Sequence, residues 1–189
     1  MNVLKTLLAG AALAASAAGA NAATYYADKV IDANLGSCTT CDPARQDANR
    51  ALNIGDSKFY SMGLGGDLTV GFSKPLFFPD RNVSVFEITY NRTIGHNEAV
   101  DVYSILGGVP TYLGRILNDV ASSSVKATSA FEYIRLVDVT LDEFPSSPSG
   151  DGFDVDSISV APVPLPAAGL MLLAGVGGLA AMRRRKKAA

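Results

Sequence analysis

Residues 66–72 alternate strictly between apolar and small or polar side chains. Leu68, Val70 and Phe72 fall on one face, and Asp67, Thr69 and Gly71 fall on the other. A period of two residues is typical of a β-strand that buries one face. This segment therefore indicates a sheet with one face against a core.

Four further segments, rich in β-branched and aromatic residues, have strand character: 83–90, 99–105, 130–140 and 153–160. Turn-forming clusters containing Gly, Pro and Asn separate them. Helical segments of adequate length do not alternate with these strands. The order therefore predicts an all-β fold over residues 23–162, an antiparallel β-sandwich such as a jelly roll.

Three short segments within this region depart from the strand pattern. Residues 42–52 are the one fair helix candidate, with Asp42 as the cap and Pro43 in the first turn. The serine-rich stretches 122–124 and 146–149 are predicted to be mobile.

The amino-terminal 22 residues have the pattern of a secretory signal peptide. A basic start at Lys5 precedes an alanine-rich apolar run, and small residues follow up to Ala22. Cleavage is expected after Ala22 or Ala23, which exports the remainder of the chain.

The carboxyl-terminal segment has the features of a single membrane span. Residues 165–182 carry no charge, and at about 1.5 Å per residue they reach roughly 27 Å, close to the thickness of a hydrocarbon core. The tail 183–189 begins with five basic residues, and basic clusters stay in the cytoplasm. Residues 23–162 are therefore predicted to lie outside the inner membrane.

The predicted ectodomain, residues 23–162, is acidic. It keeps ten of the sixteen basic residues and all eighteen acidic residues, so its formal charge is −8, whereas the whole chain has −2. A nucleic-acid-binding domain needs a basic surface. We therefore expect no nucleic-acid partner.

A short motif precedes the predicted span: Val163, Pro164, Leu165, Pro166 and Ala167. This motif, the apolar span and the basic tail together resemble the VPLPA variant of the PEP-CTERM sorting signal, which occurs in exopolysaccharide-producing bacteria. The resemblance covers residues 163–189 and implies an exosortase-type membrane peptidase as partner. Leu165 stands where the commoner motif has glutamate, which implies the variant sorting enzyme. The two prolines favour the extended segment that such a peptidase needs.

Short motifs in the middle of the chain resemble exported domains of the galactose-binding-like sandwich type. They include Gly63-Leu64-Gly65-Gly66-Asp67 and Gly152-Phe153-Asp154-Val155-Asp156. The resemblance implies the same sandwich fold that the strand pattern predicts.

Cys38 and Cys41 form an isolated CxxC motif. A closed zinc site needs a second ligand pair, and the only histidine, His96, lies far along the chain. In an oxidising compartment a structural disulfide is the favoured prediction. A free thiol pair and a metal or redox function remain alternatives.

Three aspartates near the end of the ectodomain are candidates for binding calcium: Asp151, Asp154 and Asp156. In a regular strand, Asp154 and Asp156 share a face with Ile158 and Val160, and buried carboxylates need a cation or hydrogen-bond donors. Calcium prefers such oxygen ligands, and Glu87 or Asp28 is a candidate fourth. Solvated or hydrogen-bonded carboxylates are the alternative.

Motifs of the common hydrolases and nucleotide-binding enzymes are absent from the sequence. Glu87 and Glu98 are the candidate carboxylates of a glycosidase, and seven tyrosines, including Tyr25, Tyr26, Tyr103 and Tyr112, are candidates for stacking on sugars. The leading prediction is a non-catalytic structural or adhesive protein of the cell surface or exopolysaccharide matrix. A carbohydrate-binding module, with or without calcium, is the alternative, and an extracellular glycoside hydrolase is the third.

Overall fold

The described part of the chain forms ten β-strands in two antiparallel sheets. The structure is a computed structural model that describes residues 23–52, 54, 56, 58–89, 95–163 and 177. The strands are β1 (Tyr25–Tyr26), β2 (Lys29–Asn34), β3 (Tyr60–Ser61), β4 (Asp67–Gly71), β5 (Arg81–Glu87), β6 (Ala99–Leu106), β7 (Val109–Leu117), β8 (Ser122–Ala127), β9 (Tyr133–Asp138) and β10 (Asp154–Pro162).

The first sheet has the order β1-β10-β5-β8, with β3 also paired to β10, and the second has the order β2-β4-β9-β6-β7. The predicted all-β antiparallel sandwich is therefore confirmed. The predicted signal peptide and sorting segment lie outside the described residues, apart from Val163 and Gly177. Among the residues described, no helix combines the length and the apolar character that crossing a membrane requires.

The core is built from the apolar faces of both sheets. Leu68, Val70 and Phe72 are at most 1% exposed, as the alternation of residues 66–72 predicts. An aromatic cluster closes the core where β4 ends, because Phe77 packs edge-on against Phe72 and stacks on Phe131, with ring centroids 5.1 and 5.0 Å apart. Burying each such ring stabilises the fold by roughly 1.5–3 kcal/mol.

The predicted helix over residues 42–52 is replaced by two 3₁₀ helices, Pro43–Gln46 and Ala48–Ala51. Asp42 caps the first as predicted, since its side chain accepts a hydrogen bond from the Ala44 N–H at 2.9 Å. Asp47 has an extended backbone and caps the second helix through the Asn49 N–H. That second cap interrupts the helix. Within residues 95–163 the chain also forms a single helical turn, α1 (Thr140–Glu143).

Residues 122–124, which the sequence analysis predicts to be mobile, belong to a strand. They open β8, which pairs with β5 from Ser122 opposite Phe86 to Ala127 opposite Arg81. β8 is an edge strand, where hydroxyl side chains meet solvent on the exposed positions. Residues 146–149 do form a loop, but Ser149 is buried and its hydroxyl donates a hydrogen bond to Glu98 outside the loop at 2.8 Å.

A β-bulge interrupts β10 between Val155 and Ser157. Val155, Ile158 and Val160 all belong to the core, and the odd spacing between Val155 and Ile158 requires this change of phase. The predicted alternation that places Asp154 on one face with Ile158 is therefore wrong. Before the bulge the odd-numbered Val155 faces the core, and after it the even-numbered Ile158 and Val160 do.

The strand directions define two ends of the sandwich. At the end where β10 stops, which we call the Pro162 end, lie the β4–β5 connection, the β6–β7 turn and the β8–β9 connection. At the end where β10 begins, the Asp154 end, lie the β5–β6 and β7–β8 connections and the loop before β10. β1 pairs with Ser159 and Val160, so the chain also enters at the Pro162 end.

Candidate functional site

Four carboxylic acids are buried together at the Asp154 end of the sandwich. We call Glu87, Glu98, Asp151 and Asp154 the carboxyl cluster; their exposed fractions are 4%, 0%, 9% and 5%. Glu87 ends β5, Glu98 immediately precedes β6, Asp151 lies in the loop before β10, and Asp154 opens β10. The antiparallel register of the two sheets thus brings together residues that are distant in sequence.

Glu98 is enclosed by polar partners. Its Oε1 lies 3.1 Å from His96 Nε2 and accepts a hydrogen bond from the Ser149 hydroxyl at 2.8 Å. Its Oε2 accepts from Asn118 Nδ2 at 3.3 Å, and its backbone N–H donates to Asn118 Oδ1 at 2.9 Å. These contacts fix the carboxyl group in one position.

Burial, together with the negative charges of Asp154, Glu87 and Asp151, raises the pKa of Glu98 to about 9, against the lowering effect of the Ser149 hydrogen bond. A buried carboxylate is poorly solvated, and its like-charged neighbours oppose ionisation. Without a bound cation, the Glu98 carboxyl therefore carries its proton at neutral pH.

Asp154 behaves in the same way. Its Oδ1 accepts a hydrogen bond from the Ser61 hydroxyl at 2.6 Å. Burial is the main cause that raises its pKa to about 8; the Ser61 hydrogen bond lowers the pKa, while the charges of Asp151 and Glu87 raise it. The cluster thus holds more carboxyl groups than it can ionise together.

Asp138 lies at the same end but has a purely structural set of contacts. Its two oxygens accept from the N–H groups of Gly65 and Phe153, both at 2.9 Å, and from the Thr140 hydroxyl at 2.8 Å. These bonds tie the end of β9 to the loop before β10.

Gly152 in that loop has φ +66°, and a Cβ there would lie 2.6 Å from the Gly63 carbonyl.

The cluster offers ligand atoms for a cation. One atom each from His96, Glu98 and Asp151 lie within 4.8 Å of one another. Of the calcium set predicted from the sequence, Glu87, Asp151 and Asp154 belong to the carboxyl cluster, while Asp156 is buried beside the bulge, with its Oδ2 3.2 Å from the Ser157 hydroxyl. Carboxylate oxygens suit calcium, whereas the His96 nitrogen suits a transition metal such as zinc.

Neither Glu98 nor His96 is assigned to this cluster by the sequence alone. The sequence suggests Glu98 only as a glycosidase carboxylate, and it gives His96 no role, because His96 lies too far along the chain to complete a zinc site with Cys38 and Cys41. The local signal is the spacing of two residues between them, just before a strand. Their proximity to Asp151 arises from the fold and leaves no pattern in the sequence.

Glu87 and Glu98 also bear on the glycosidase hypothesis. A glycosidase presents two carboxyl groups to a sugar on either side of the scissile bond. With 4% and 0% of their surfaces exposed, these two side chains are closed off from a polymeric substrate. They serve the interior of the Asp154 end.

A second candidate site is a pair of tyrosines on the outer face of the second sheet. Tyr103 in β6 pairs across the strands with Tyr112 in β7, and their ring centroids lie 5.4 Å apart at an interplanar angle of 60°. Tyr112 is 54% exposed. The edge-to-face contact with Tyr103 holds its ring in place while leaving much of the ring accessible.

Charged groups flank this tyrosine pair. Arg115 binds Asp101 through two hydrogen bonds of 2.7 and 2.9 Å and reaches Glu143 at 2.6 Å. The Tyr112 hydroxyl lies 3.4 Å from Asp101 Oδ1. In contrast, Tyr25 packs its ring against Phe77, with centroids 5.5 Å apart, and contributes to the core. Of the four tyrosines named from the sequence, Tyr103 and Tyr112 are brought together.

Cys38 and Cys41 form a disulfide, with their Cα atoms 5.6 Å apart. The Thr39 N–H between them donates to the Gly150 carbonyl at 2.8 Å. The small disulfide loop thus packs on the loop that carries Asp151.

No family model matches the sequence, and no curated protein matches it. Solved structures with a similar strand arrangement include a family 32 carbohydrate-binding module from C. perfringens NanJ in complex with galactose (TM-score 0.48, 14% identity, 72% of this chain and 99% of that one). Another is the module CBM32-5 from Clostridium perfringens in complex with GalNAc-β-1,3-galactose (TM-score 0.49, 11% identity, 68% and 93%).

A third similar structure is a truncated AlyQ with CBM32 and alginate lyase domains (TM-score 0.48, 11% identity, 77% of this chain). The present chain covers 36% of that polypeptide. All three are similarities of strand arrangement at low sequence identity, and what those proteins bind is a property of those proteins.

Proposed function

We propose that this protein is an exported, non-catalytic component of an exopolysaccharide layer that binds carbohydrate through Tyr103 and Tyr112. The observation that carries the proposal is the exposed Tyr112 ring, held edge-on by Tyr103 on an open sheet face. An aromatic ring with an accessible face stacks on the C–H groups of a sugar. Arg115 beside it is 33% exposed and has further N–H groups for sugar hydroxyls, while the buried Asp101 holds its guanidinium in place.

The open shape of this face favours a polymer over a small molecule. Small ligands usually bind in concave pockets that bury most of their surface. Tyr112 projects from the edge strand β7 instead. Polar side chains form a row across the sheet from Arg115 and Asp101 to Arg135, which pairs with Asp67 at 3.3 Å. A polysaccharide chain is long enough to lie along such a row.

Glycan-array and calorimetric binding to the purified full chain test this proposal. Replacing Tyr112 by Ala is expected to weaken binding about tenfold, since stacking contributes up to about 1.5 kcal/mol and 1.4 kcal/mol corresponds to a factor of ten. Tyr26→Ala, in the first sheet, is the matched control and should bind as the parent protein does. Equal binding by the Tyr112 and Tyr26 variants would contradict the proposal.

A structural or adhesive protein without a sugar ligand is the second candidate. The burial of Glu87 and Glu98 favours both candidates over a glycoside hydrolase. The glycan array separates the two, because an inert structural component retains no glycan.

We also propose the delivery route: removal of residues 1–22, insertion of residues 165–182 in the inner membrane, and recognition of Val163, Pro164, Leu165, Pro166 and Ala167 by an exosortase-type peptidase. The observation in support is that β10 ends at Pro162, so the motif follows the folded domain directly. Intact-mass measurement of the protein from the native cell surface tests the route. A mass that still includes the span and the basic tail would contradict processing.

Calcium at the carboxyl cluster is a further proposal. Glu87, Glu98, Asp151 and Asp154 supply the oxygen atoms that calcium prefers, and a bound cation neutralises buried charge that protons otherwise neutralise. His96 beside Glu98 is the feature of the donor set that favours a transition metal instead. Thermal unfolding with calcium, with zinc and with chelator distinguishes these ions.

A further inference from the structure

The sheet holds the chain up to the first residue of the sorting motif. β10 pairs with β5 as far as Pro162, opposite Arg81, and the Val163 N–H donates to the Asp80 carbonyl at 3.3 Å. Leu165, the first residue of the predicted span, follows two residues later, which is at most about 7 Å of extended chain. A bilayer that holds this span therefore lies directly against the Pro162 end.

The Pro162 end exposes four large apolar side chains. Phe78 and Leu76, in the β4–β5 connection, are 62% and 36% exposed, and Val109 and Leu106, at the β6–β7 turn, are 65% and 44% exposed. Single exposed apolar residues are common on protein surfaces. The Asp154 end also exposes Leu35, Val120 and Leu141. What distinguishes the four residues named above is that they lie at the end where the chain leaves the sheet.

The fold holds these side chains in place. Phe77, next to Phe78, is fully buried, and its backbone forms a β-bridge with Phe131 in the β8–β9 connection. The β6–β7 turn is held to the same connection, because the Glu132 N–H donates to the Ile105 carbonyl at 2.8 Å and the Glu132 side chain accepts from the Gly107 N–H at 3.1 Å. The apolar surface is therefore a fixed feature of this end.

The charge at this end also differs from that of the rest of the ectodomain. Its cations are Lys29, Lys74, Arg81 and Lys126, and its acids are Asp28, Asp80 and Glu132. The excess is one positive charge, and Lys126 is paired with Asp80 at 2.8 Å. Residues 23–162 as a whole carry −8. Lysine and arginine near a membrane surface are attracted to anionic lipid headgroups.

We infer that Leu76, Phe78, Leu106 and Val109 form a membrane-facing surface that rests on an anionic lipid bilayer while the predicted span is in place. This inference rests on the proposed anchoring by residues 165–182. Apolar side chains inserted at the headgroup boundary, with cations around them, are the combination by which peripheral proteins bind such surfaces. The contact fixes the tilt of the sandwich and turns the carboxyl cluster away from the membrane.

The full chain contains no tryptophan, so Phe78→Trp introduces a single fluorescent probe. The variant is reconstituted in phosphatidylethanolamine–phosphatidylglycerol vesicles with and without bromine on the acyl chains. We expect the emission of the introduced indole to shift to shorter wavelength and to lose most of its intensity with brominated lipid. Val120→Trp, at the Asp154 end and 49% exposed in the parent protein, is the matched control and should show neither effect.

Vesicle flotation of both variants separates this inference from the anchoring proposal. If both variants float and the Phe78→Trp probe responds like the Val120→Trp control, the membrane-facing surface is refuted while anchoring stands. If the emission of the Phe78→Trp variant shifts to shorter wavelength without quenching by bromine, a protein contact covers the probe, and a lipid contact is excluded. If neither variant floats, anchoring fails and the inference fails with it.

Discussion

At the scale of single residues, Glu98 shows how burial decides the chemistry of a side chain. The same carboxyl group in a solvated loop ionises near pH 4.5, but here its pKa is about 9. Desolvation and the charges of its neighbours outweigh the hydrogen bond from Ser149. Its role is therefore set by the carboxyl cluster around it and not by its own residue type.

The raised pKa values of Glu98 and Asp154 predict how stability depends on pH. Between about pH 4.5 and pH 9 the folded protein keeps a proton on Glu98 that the unfolded chain releases. The unfolded state then binds fewer protons than the folded state. When a chelator keeps the protein free of metal, the free energy of unfolding therefore falls as pH rises through this window. Asp154, with a pKa of about 8, contributes in the same direction.

Glu98→Gln is expected to flatten this dependence, because glutamine keeps the shape of the protonated acid and does not titrate. Urea unfolding from pH 5 to pH 9 in chelator measures the effect, with the exposed Asp142→Asn as control. The parent protein and the control should lose stability over this range, and the Glu98→Gln variant should lose markedly less. An unchanged slope in the Glu98 variant would show that another group dominates.

At the scale of elements, alternation and residue type predict the central strands of both sheets well. β4, β5, β6, β9 and β10 overlap the predicted segments, because buried apolar side chains dictate both pattern and position. β2, β7 and β8 escaped prediction, since they are edge strands, which tolerate polar residues, Pro110 and several serines. β1 and β3 have two residues each and exist only through pairing with β10.

The candidate sites were likewise predicted only in part. The sequence indicated a carboxylate-rich loop around Asp151 and a set of tyrosines. It did not indicate that Glu98 joins that loop or that Tyr103 contacts Tyr112, since both depend on strand register. The bulge in β10 likewise requires knowledge of which valines and isoleucines reach the core.

The loop before β10 gives a prediction at this scale. Gly152 has φ +66°, and an alanine Cβ there would lie 2.6 Å from the Gly63 carbonyl, so Gly152→Ala combines backbone strain with a clash. A destabilisation of about 2–4 kcal/mol is expected. Gly108, with φ +80° and nothing within 4 Å of its Cβ position, provides the control, with a cost of about 1 kcal/mol. Equal midpoints for the two variants in urea unfolding would count against the close packing of Gly152 on Gly63.

At the scale of the whole molecule, the two ends of the sandwich have different chemistry. The exposed apolar residues Leu76, Phe78, Leu106 and Val109 lie at the Pro162 end, where the sorting motif begins. The carboxyl cluster lies at the Asp154 end, beneath the disulfide loop. The tyrosine pair occupies a side face between them. An anchored molecule with this arrangement presents its acidic end away from the membrane and its proposed sugar-binding face to the side.

Calcium binding to the carboxyl cluster would link four segments at the Asp154 end, since its residues come from β5, β10 and the segments before β6 and β10. A ligand that binds only the folded state stabilises it by about 2.7 kcal/mol at one hundred times its Kd, which for a domain of this size raises Tm by roughly 5–10 °C. Protons compete for the same oxygen atoms. The calcium effect should therefore be large at pH 8 and small at pH 5.5.

Thermal unfolding of the full chain, with calcium and with chelator at both pH values, measures this difference. Glu98→Gln should reduce the shift at pH 8, because it removes one ligand charge from the centre of the cluster, and Asp142→Asn should leave it unchanged. If calcium has no effect at pH 8 while zinc raises Tm, the site binds a transition metal through the His96 nitrogen, and the calcium proposal is refuted. If neither ion changes Tm, protons and hydrogen bonds alone neutralise the cluster, and the calcium proposal is refuted.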